Sequence, residues 1–436
     1  MQAVVIGGSI AGLLAARVLS EFYDSVTIVE SDALPQTPEA RRGVPQSPQP
    51  HVLFAKGYQI LEALFPGIGT DLEAAGALKI DWAREFQHFD FGAWNQCDRT
   101  PSQIISFTCS RPLLEWAIRQ RLPANSSIQW LNSHRVTGFI EQQRQIVGVK
   151  AQSNSRSSID LEAALVVDAG GRRSAAPKWL AESGFTAPTT TVINPFLGYA
   201  TRRYQASNDI DQDWKVMLVP QQPPDNTRLG YLAKIENNQW IATLGGYGRD
   251  FPPLDDAGFL DFARSLASPR FHDAIASATP ISPIYAHRAT ANRWYHYEKI
   301  EVPNGFVALG DAVCALCPVY GQGMTVSALA AMVLRDWLKK SDRRSSSEFQ
   351  RRLAKNNQLP WSVAVGQDSR FFTTAGRTPS NRFATVLGWY TQQLVKQTST
   401  NASLNTLLME VAHQLKSPAE FFSPKVAAQV LMASLR

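Results

Sequence analysis

The sequence predicts a mixed α/β fold: a Rossmann-type dinucleotide-binding domain, an inserted and mostly antiparallel β-sheet domain, and a C-terminal helical region. Three observations predict it. A strand, glycine turn, helix and second strand occupy the first thirty residues. Two further strands, far downstream, each end in a loop bearing glycine and a carboxylate. Between those two, the chain changes to short strand-like runs separated by turn residues.

Val4, Val5 and Ile6 read as a short buried strand bounded by Gly7 and Gly8. Ile10, Leu13, Leu14, Val18 and Phe22 then recur at helical spacing, and Val26 to Val29 form a second strand ending in Glu30. The turn follows the G-x-G-x-x-G pattern with Gly7, Ser9 and Gly12, so serine stands where the middle glycine belongs. Gly7 permits the tight turn and Gly12 lets the helix pack on the sheet, while a residue as small as Ser9 still admits a pyrophosphate to the helix N-terminus. Glu30, 18 residues beyond Gly12, stands where a carboxylate accepts hydrogen bonds from an adenosine ribose. Taken alone, this turn also fits another doubly wound fold.

The run Ala163 to Val167 reads as a buried strand opening into Asp168, Gly170, Gly171, Arg172, Arg173 and Ser174. Phe306 to Leu309 is a second such strand, followed by Gly310, Asp311 and then Pro318 through Thr325. In that last segment Gly321 and Gly323 clear space for a flat ligand. The next helix, striped by Val326, Leu329, Val333, Leu334, Trp337 and Leu338, aims its first amides at the same place. Both loops sit at the carboxyl end of a strand, where α/β sheets bind ligands.

From about 191 to 294, strand-like runs include Phe196 to Tyr204, Trp214 to Val219, Leu229 to Ile235 and Trp240 to Leu244. Glu236 to Gln239 reads as the hairpin turn between the last two. Trp82, Phe86, Phe89, Phe91 and Trp94 form an aromatic stretch expected beside this sheet, mostly as core. Residues 341–436 read as largely helical, with packing against the first domain the expected role; capping the cavity, dimerisation and lying on a membrane stay open.

Composition narrows the classes. Hydrophobic residues make up 44% and charged residues 18%, values of a globular enzyme rather than a disordered chain. The net charge of +6 is scattered except for a run from Lys339 to Arg344 with Arg351 and Arg352, read as a solvated helix end rather than a nucleic-acid site. No stretch approaches the roughly 18 apolar residues of a membrane span. The first strand begins almost at Met1, which leaves no room for a cleavable leader, and four cysteines make no disulfide framework, so the cytoplasm is the expected compartment. No H-E-x-x-H, G-x-S-x-G or W-x-W-x-I-P segment occurs, so no metal, no serine nucleophile and no halogenase signature is expected. Cys314 and Cys317 form a C-x-x-C that reads either as a redox pair or, the plainer reading, as two small buried residues. His51 is either a structural hydrogen-bonder or a group that tunes the ligand or supplies a proton; His88, His287 and His296 sit among aromatics and arginines with no metal spacing.

With these motifs in place, the sequence resembles the FAD-dependent monooxygenase superfamily, the single-component aromatic hydroxylases and olefin epoxidases that fold like p-hydroxybenzoate hydroxylase. Gly7 to Gly12 with Glu30 is similar to its first fingerprint, Asp168 to Ser174 to its second, and Gly310-Asp311 through Gly323 to its third. Ser110-Arg111 with Leu113 and Leu114 matches a further segment. Arg42-Gly43-Val44-Pro45-Gln46 followed by Pro50-His51-Val52-Leu53 resembles the polyprenyl-methoxyphenol-hydroxylase-like branch. The resemblance covers roughly residues 1–340. It implies a discontinuous FAD-binding domain at 1–80, 101–190 and 295–340, a substrate domain at 81–100 and 191–294, and a C-terminal region at 341–436. It implies non-covalent FAD held by Gly7, Gly8, Ser9, Gly12, Glu30, Arg42, Arg111, Asp168, Gly310, Asp311, Pro318, Gly321, Gln322, Gly323 and Met324. It further implies reduction by NADPH or NADH, and oxygen transfer through a flavin C4a-hydroperoxide to an apolar aromatic or olefinic molecule in a monomer or homodimer. Asp168 would brace the domain and help receive the nicotinamide donor. Cys314 stands where many relatives have histidine, so that histidine's role does not carry over. A reductase or dehydrogenase of a prenyl-type substrate, a flavin halogenase and a non-catalytic flavin-binding protein are the alternatives.

Overall fold

The computed structural model describes residues 1–122, 127–206, 213–340, 345–377 and 382–434. Five strands, all parallel, form a sheet in the order Phe306–Ala308, Leu165–Asp168, Gln2–Ile6, Ser25–Glu30 and Ile128–Asn132. The central strands are covered on both faces, which is why they read as continuous apolar runs rather than alternating ones. Register decides what this sheet can do. Ile6 lies beside both Val29 and Asp168, and Asp168 lies beside Ala308. The three glycine loops therefore leave the sheet from one edge, at the carboxyl ends of adjacent strands.

Helix Ile10–Leu19 packs on helix Gly323–Leu338, which also receives helices Ala55–Leu64 and Ser346–Asp368. Ala328, Ala330 and Ala331 are buried in that junction, and their small side chains let the helices approach. A three-stranded antiparallel meander, His134–Gln142, Gln145–Ser153 and Ser158–Glu162, contacts Leu165–Asp168 and Ser25–Glu30.

A second sheet of eight strands carries Thr279–Pro280, Gly198–Gln205, Gln239–Gly246, Arg228–Ile235, Val216–Val219, Phe86–Asp90 and Ala93–Trp94 in that order, with Tyr285–His287 also on Gly198–Gln205. Every pairing is antiparallel except that of Val216–Val219 with Phe86–Asp90. The expected hairpin turn is present, with Asn237 and Asn238 at φ 61° and 53°, the left-handed pair that a two-residue turn needs. The aromatic stretch after Trp82 does not merely flank this sheet; Phe86–Asp90 is one of its strands.

Alternation gives the second sheet two different faces. Ala200, Tyr204, Trp240, Ala242 and Leu244 face helices Asp256–Arg264 and Arg270–Ala276 and make a core with Phe259, Phe262 and Phe271. Tyr199 and Thr201 point the other way; Tyr199 joins a cluster with Cys317 of the third glycine loop, and Thr201 reaches Gln49.

The C-terminal helices are not an appendage. Phe349, Leu353 and Ala364 of helix Ser346–Asp368 join the core of the parallel sheet. Helices Arg382–Gln397, Ala402–Ala412 and Pro424–Ser434 share a small core of Tyr390, Leu394, Leu404, Val426 and Val430. His413 anchors them: its Nδ1 accepts the Ala55 amide at 3.0 Å and its ring packs on Phe54 and Trp82. Residues 341–344 of the basic run lie outside the described residues; Arg352 pairs with Glu348. Among the described residues no helix is long and apolar enough to cross a membrane.

A Cβ built on Gly12 would lie 1.9 Å from the Gly7 carbonyl oxygen, so the helix and its preceding turn touch without room for a methyl group. Gly12→Ala should cost about 1–3 kcal/mol of stability by overpacking, read from urea unfolding. Burial lowers the pKa of His413 to about 3. The unfolded chain takes up that proton near pH 6.5 and the folded chain does not, so the stability is present above that pH and lost as pH falls towards 3. His413→Asn should reduce the loss of unfolding free energy between about pH 6.5 and 4.5, measured by urea midpoints across pH.

Candidate functional site

The first turn places Gly7 at φ 96°, where an added Cβ would meet the Ala169 carbonyl oxygen at 2.8 Å. Glycine there lets the first and second loops lie against each other. Ser9 occupies the N-cap of helix Ile10–Leu19 but makes no capping hydrogen bond. Its hydroxyl donates to Glu115 at 2.8 Å and accepts from Arg111 Nη2 at 2.7 Å. The leading amides of that helix are left without a side-chain cap, the condition in which a helix end receives an anion. The Glu30 carboxylate, at the tip of its strand, is fixed by the amides of Gly8 at 2.8 Å and Asp32 at 3.0 Å.

Around this turn lies a buried charge network centred on the arginine before Arg42. Arg42 is exposed and takes no part in it. Arg41 instead reaches Glu115 at 2.7 Å, Asp32 at 2.9 Å, Glu30 at 3.1 Å and the Gly8 carbonyl at 3.2 Å. Burial works against its charge, but Glu115 and Glu30 hold the proton more firmly than usual. Burial likewise opposes ionisation of Glu115, and Arg111 with Arg41 holds its carboxyl below the usual range. Two adjacent arginines look alike in sequence; only the path of the chain after Glu30 decides which one turns inward.

Arg111 opens helix Arg111–Arg121, whose N-cap Ser110 accepts the Leu113 amide at 3.4 Å. Its Nη2 serves Ser9 and Glu115, while its Nε is buried without a partner among the described residues.

In the second loop the Asp168 carboxyl accepts the Gly170 amide at 2.9 Å and the Ser174 hydroxyl, so it shapes the loop from within. Burial outweighs these bonds and raises its pKa to about 6. Arg172, within the second loop, donates to the carbonyls of Ala291 and Leu316 and approaches Asp311 at 3.6 Å. It ties the second loop to the third.

Gly310 stands at φ 62°, where an added Cβ would lie 2.9 Å from that of Ala11, so the third loop rests on the first helix. Burial raises the pKa of Asp311 against the pull of Arg172, Arg111 and Arg293. Gly321, at φ 66°, lies beside Val52 and Phe54, and Gly323 faces open space where a side chain would project. Pro318 is exposed, and Gln322 keeps a buried Oε1 with no partner among the described residues. Helix Gly323–Leu338 also begins without a side-chain cap. Met324 of the third loop lines a narrow cleft with His51, Leu53, Phe107 and Arg111. His51 Nδ1 lies 2.9 Å from the Gln49 carbonyl. Burial, assisted by Arg111, lowers its pKa to about 3. His51 is therefore neutral near pH 7, an acceptor rather than a source of protons.

Cys314 and Cys317 are free and buried, and burial pushes both thiols up, which disfavours the thiolate that redox exchange needs. His88 bonds Asp90 and Asn405, and His296 bonds Thr191 and Glu298. One group carries no signal in sequence. Asp368, at the end of helix Ser346–Asp368, is fully buried and accepts from Tyr320 at 2.6 Å, Asn292 at 2.6 Å and Tyr247 at 3.2 Å. Burial raises its pKa to about 6 against those three bonds. Its partners come from three other segments, so no local pattern marks it.

Removing Arg41 would leave Glu30, Asp32 and Glu115 facing one another. Arg41→Ala should cost about 3–5 kcal/mol. Arg42→Ala should stay within about 0.5 kcal/mol of the parent in the same denaturation experiment.

No family model matches the sequence. The chain is 34% identical over 396 residues to Protein Rv3254 of Mycobacterium tuberculosis, covering 87% of this chain and 82% of that protein. Its fold is similar to that of the flavin-dependent brominase Bmp2, with a TM-score of 0.72 and 13% identity over 99% of this chain and 98% of that one. It is also similar to CndH, the myxobacterial chondrochloren halogenase described as FAD-dependent, with a TM-score of 0.65 and 15% identity over 94% and 96% of the two chains. PqsL of Pseudomonas aeruginosa, a probable FAD-dependent monooxygenase, gives a TM-score of 0.63 and 15% identity over 94% and 99%.

Proposed function

We propose, from a fold similar to those of flavin-dependent enzymes, that this chain, a member of the family of Protein Rv3254, is an FAD-dependent monooxygenase. It takes electrons from NADH or NADPH and places one oxygen atom of O2 on an apolar aromatic or olefinic small molecule. The observation that carries this reading is the convergence of three loops at one sheet edge, between two helix N-termini that lack side-chain caps.

The residues present fit FAD. Gly7, Gly8, Ser9 and Gly12 leave the first helix end open to a pyrophosphate, and Glu30 offers a fixed carboxylate to ribose hydroxyls. Arg111 has a spare buried N–H, and Arg42, exposed beside the Arg41 network, would reach the phosphates or the ribityl chain. Gly310 and Asp311 would meet the ribityl chain. Pro318, Gly321, Gln322, Gly323 and Met324 would border the ring, where Gly323 leaves room and the helix amides favour negative charge. FAD, when bound, supplies the redox and oxygen chemistry. The protein's share is to orient the substrate on the second sheet, keep water out and hold His51 as a neutral acceptor. Asp168 braces the second loop, which lies on the side where a nicotinamide donor would approach.

The test starts with colour. The purified protein should bind FAD, lose its yellow absorbance on anaerobic addition of NADPH or NADH, and give products heavier by one labelled oxygen from a panel of phenols and alkenes. A colourless chain that takes up no FAD would falsify the reading. With bromide added to the assay, a brominated product would move it to the halogenases, and alkene saturation without oxygen would move it to the reductases. Glu30→Ala should weaken FAD binding about 10- to 150-fold, the loss expected for a hydrogen bond to a charged group, read by flavin fluorescence titration.

A further inference from the structure

Helices Arg382–Gln397, Ala402–Ala412 and Pro424–Ser434 bury one face in their own small core. The outward face is apolar as well. Five consecutive residues of the first helix, Thr385 to Trp389, are exposed, among them Val386 at 64%, Leu387 and Trp389. On the last helix Val426 and Val430 point inward, while Ala428, Leu431 and Met432 face out, Met432 at 63%. Exposed Phe422 stacks on Tyr390 with ring centroids 5.0 Å apart. Val386 lies one turn before Tyr390 on the same helix face, so these apolar side chains adjoin. A helix that is apolar on opposite sides is covered on both, and the bundle core covers only one.

Charge selects what covers the other. From Ser369 to Arg436 the sequence holds seven lysines and arginines and two glutamates, with no aspartate. This stretch therefore carries +5 of the chain's net +6. Lys416 pairs with Glu410 at 2.7 Å, which leaves Glu420 as the other carboxylate. Lys425 is exposed three residues beyond Phe422, and exposed Lys396 holds its ammonium 5.3 Å from the centroid of the Phe91 ring. Lysines beside exposed aromatic and aliphatic side chains match a surface that is anionic at its rim and apolar beneath. A second copy of this chain matches it poorly, because a two-fold contact puts the same basic face on both sides.

The bundle is also seated close to the second sheet. Met409 of its middle helix shares a core with Ala55, Val216 and Ile241, and Val52, Tyr231 and Leu408 pack against that core. Val216 and Ile241 are strand residues of the second sheet, so whatever covers the bundle lies one helical layer from it. We propose that the outward face of this C-terminal bundle docks on an anionic lipid bilayer. Val386, Trp389 and Phe422 would enter the acyl boundary, and Lys396 and Lys425 would meet the headgroups. Docking is peripheral, since helices of 16, 11 and 11 residues fall short of the roughly 20 that a span needs. The proposal goes beyond the monooxygenase reading and stands independently of it.

The test mixes the full chain with vesicles of phosphatidylcholine, alone or with phosphatidylglycerol, and measures the fraction that floats with the vesicles on a density gradient. At low salt, partition to phosphatidylglycerol vesicles should exceed that to phosphatidylcholine by about tenfold or more, and the excess should fade towards about 0.5 M salt. Val386→Ser with Trp389→Ser should lower partition to the phosphatidylglycerol vesicles about tenfold. Lys396→Gln with Lys425→Gln should lower the phosphatidylglycerol preference by about tenfold and leave partition to phosphatidylcholine in place. All four side chains are exposed, so urea midpoints should hold, and either double variant decides the matter should the other fail to fold. The proposal is overturned if the parent floats with neither vesicle or equally with both, or if a folded double variant partitions like the parent. It is overturned too if light scattering shows a dimer that Val386→Ser with Trp389→Ser turns into a monomer, which would give the face to a second copy. Flotation needs no turnover, so a chain that binds no FAD would sink the function reading and still decide the docking.

Discussion

Asp168 lies between Ile6 and Ala308 in a parallel register, and the rest of the site depends on that placement. Parallel strands cannot be joined by tight turns, so each return to the same edge needs a long crossover. The chain uses these crossovers to carry the meander, the second sheet and its helices. Because all crossovers come back to one edge, loops separated by more than a hundred residues meet at the carboxyl ends of three adjacent strands. The glycines then set how closely they meet. Gly7 accepts the second loop, Gly12 lets the helix touch its own turn, and Gly310 rests on Ala11.

Charge is handled in two ways at this edge. Around the first turn, Arg41 and Arg111 are interleaved with Glu30, Asp32 and Glu115, so each buried charge has an opposite neighbour within hydrogen-bonding distance. Such a network holds the turn rigid and leaves one donor, Arg111 Nε, without a partner among the described residues. Deeper in, Asp168 and Asp368 are buried with neutral donors only, and burial keeps both carboxyls near pKa 6. The first pattern suits a phosphate-bearing cofactor; the second shapes a loop in one case and orients phenols in the other.

The second sheet joins the two regions because its faces differ in chemistry. One face is a wall of Trp240, Phe259, Phe262 and Phe271 against two helices. The other presents Tyr199, Thr201 and Thr243, with Thr201 bonded to Gln49 at 2.6 Å in the segment that also carries His51. A substrate lying between this face and the third loop would meet aromatic walls and a few oriented hydroxyls.

Local pattern was enough for much of the frame. Apolar runs, helical periodicity and glycine spacing are properties of neighbouring residues, so four of the five parallel strands, the first helix, the three loops and the Asn237–Asn238 hairpin were legible, while the edge strand Ile128–Asn132 was not. The inward member of the Arg41–Arg42 pair was not, because the two are chemically identical and the direction of each is set by how the chain leaves Glu30. Nor were Arg172 and Asp368: each works on carbonyls or phenols supplied by segments far away in sequence, and an arginine or aspartate in isolation carries no mark of such partners. Helix 346–368 showed no motif for the same reason, although its last residue organises three side chains. The amino-acid order by itself determined which elements form and where backbone can approach backbone, since those depend on nearest neighbours. Which polar groups face one another, and hence what the site can recognise, was decided only when long crossovers brought distant strands into register.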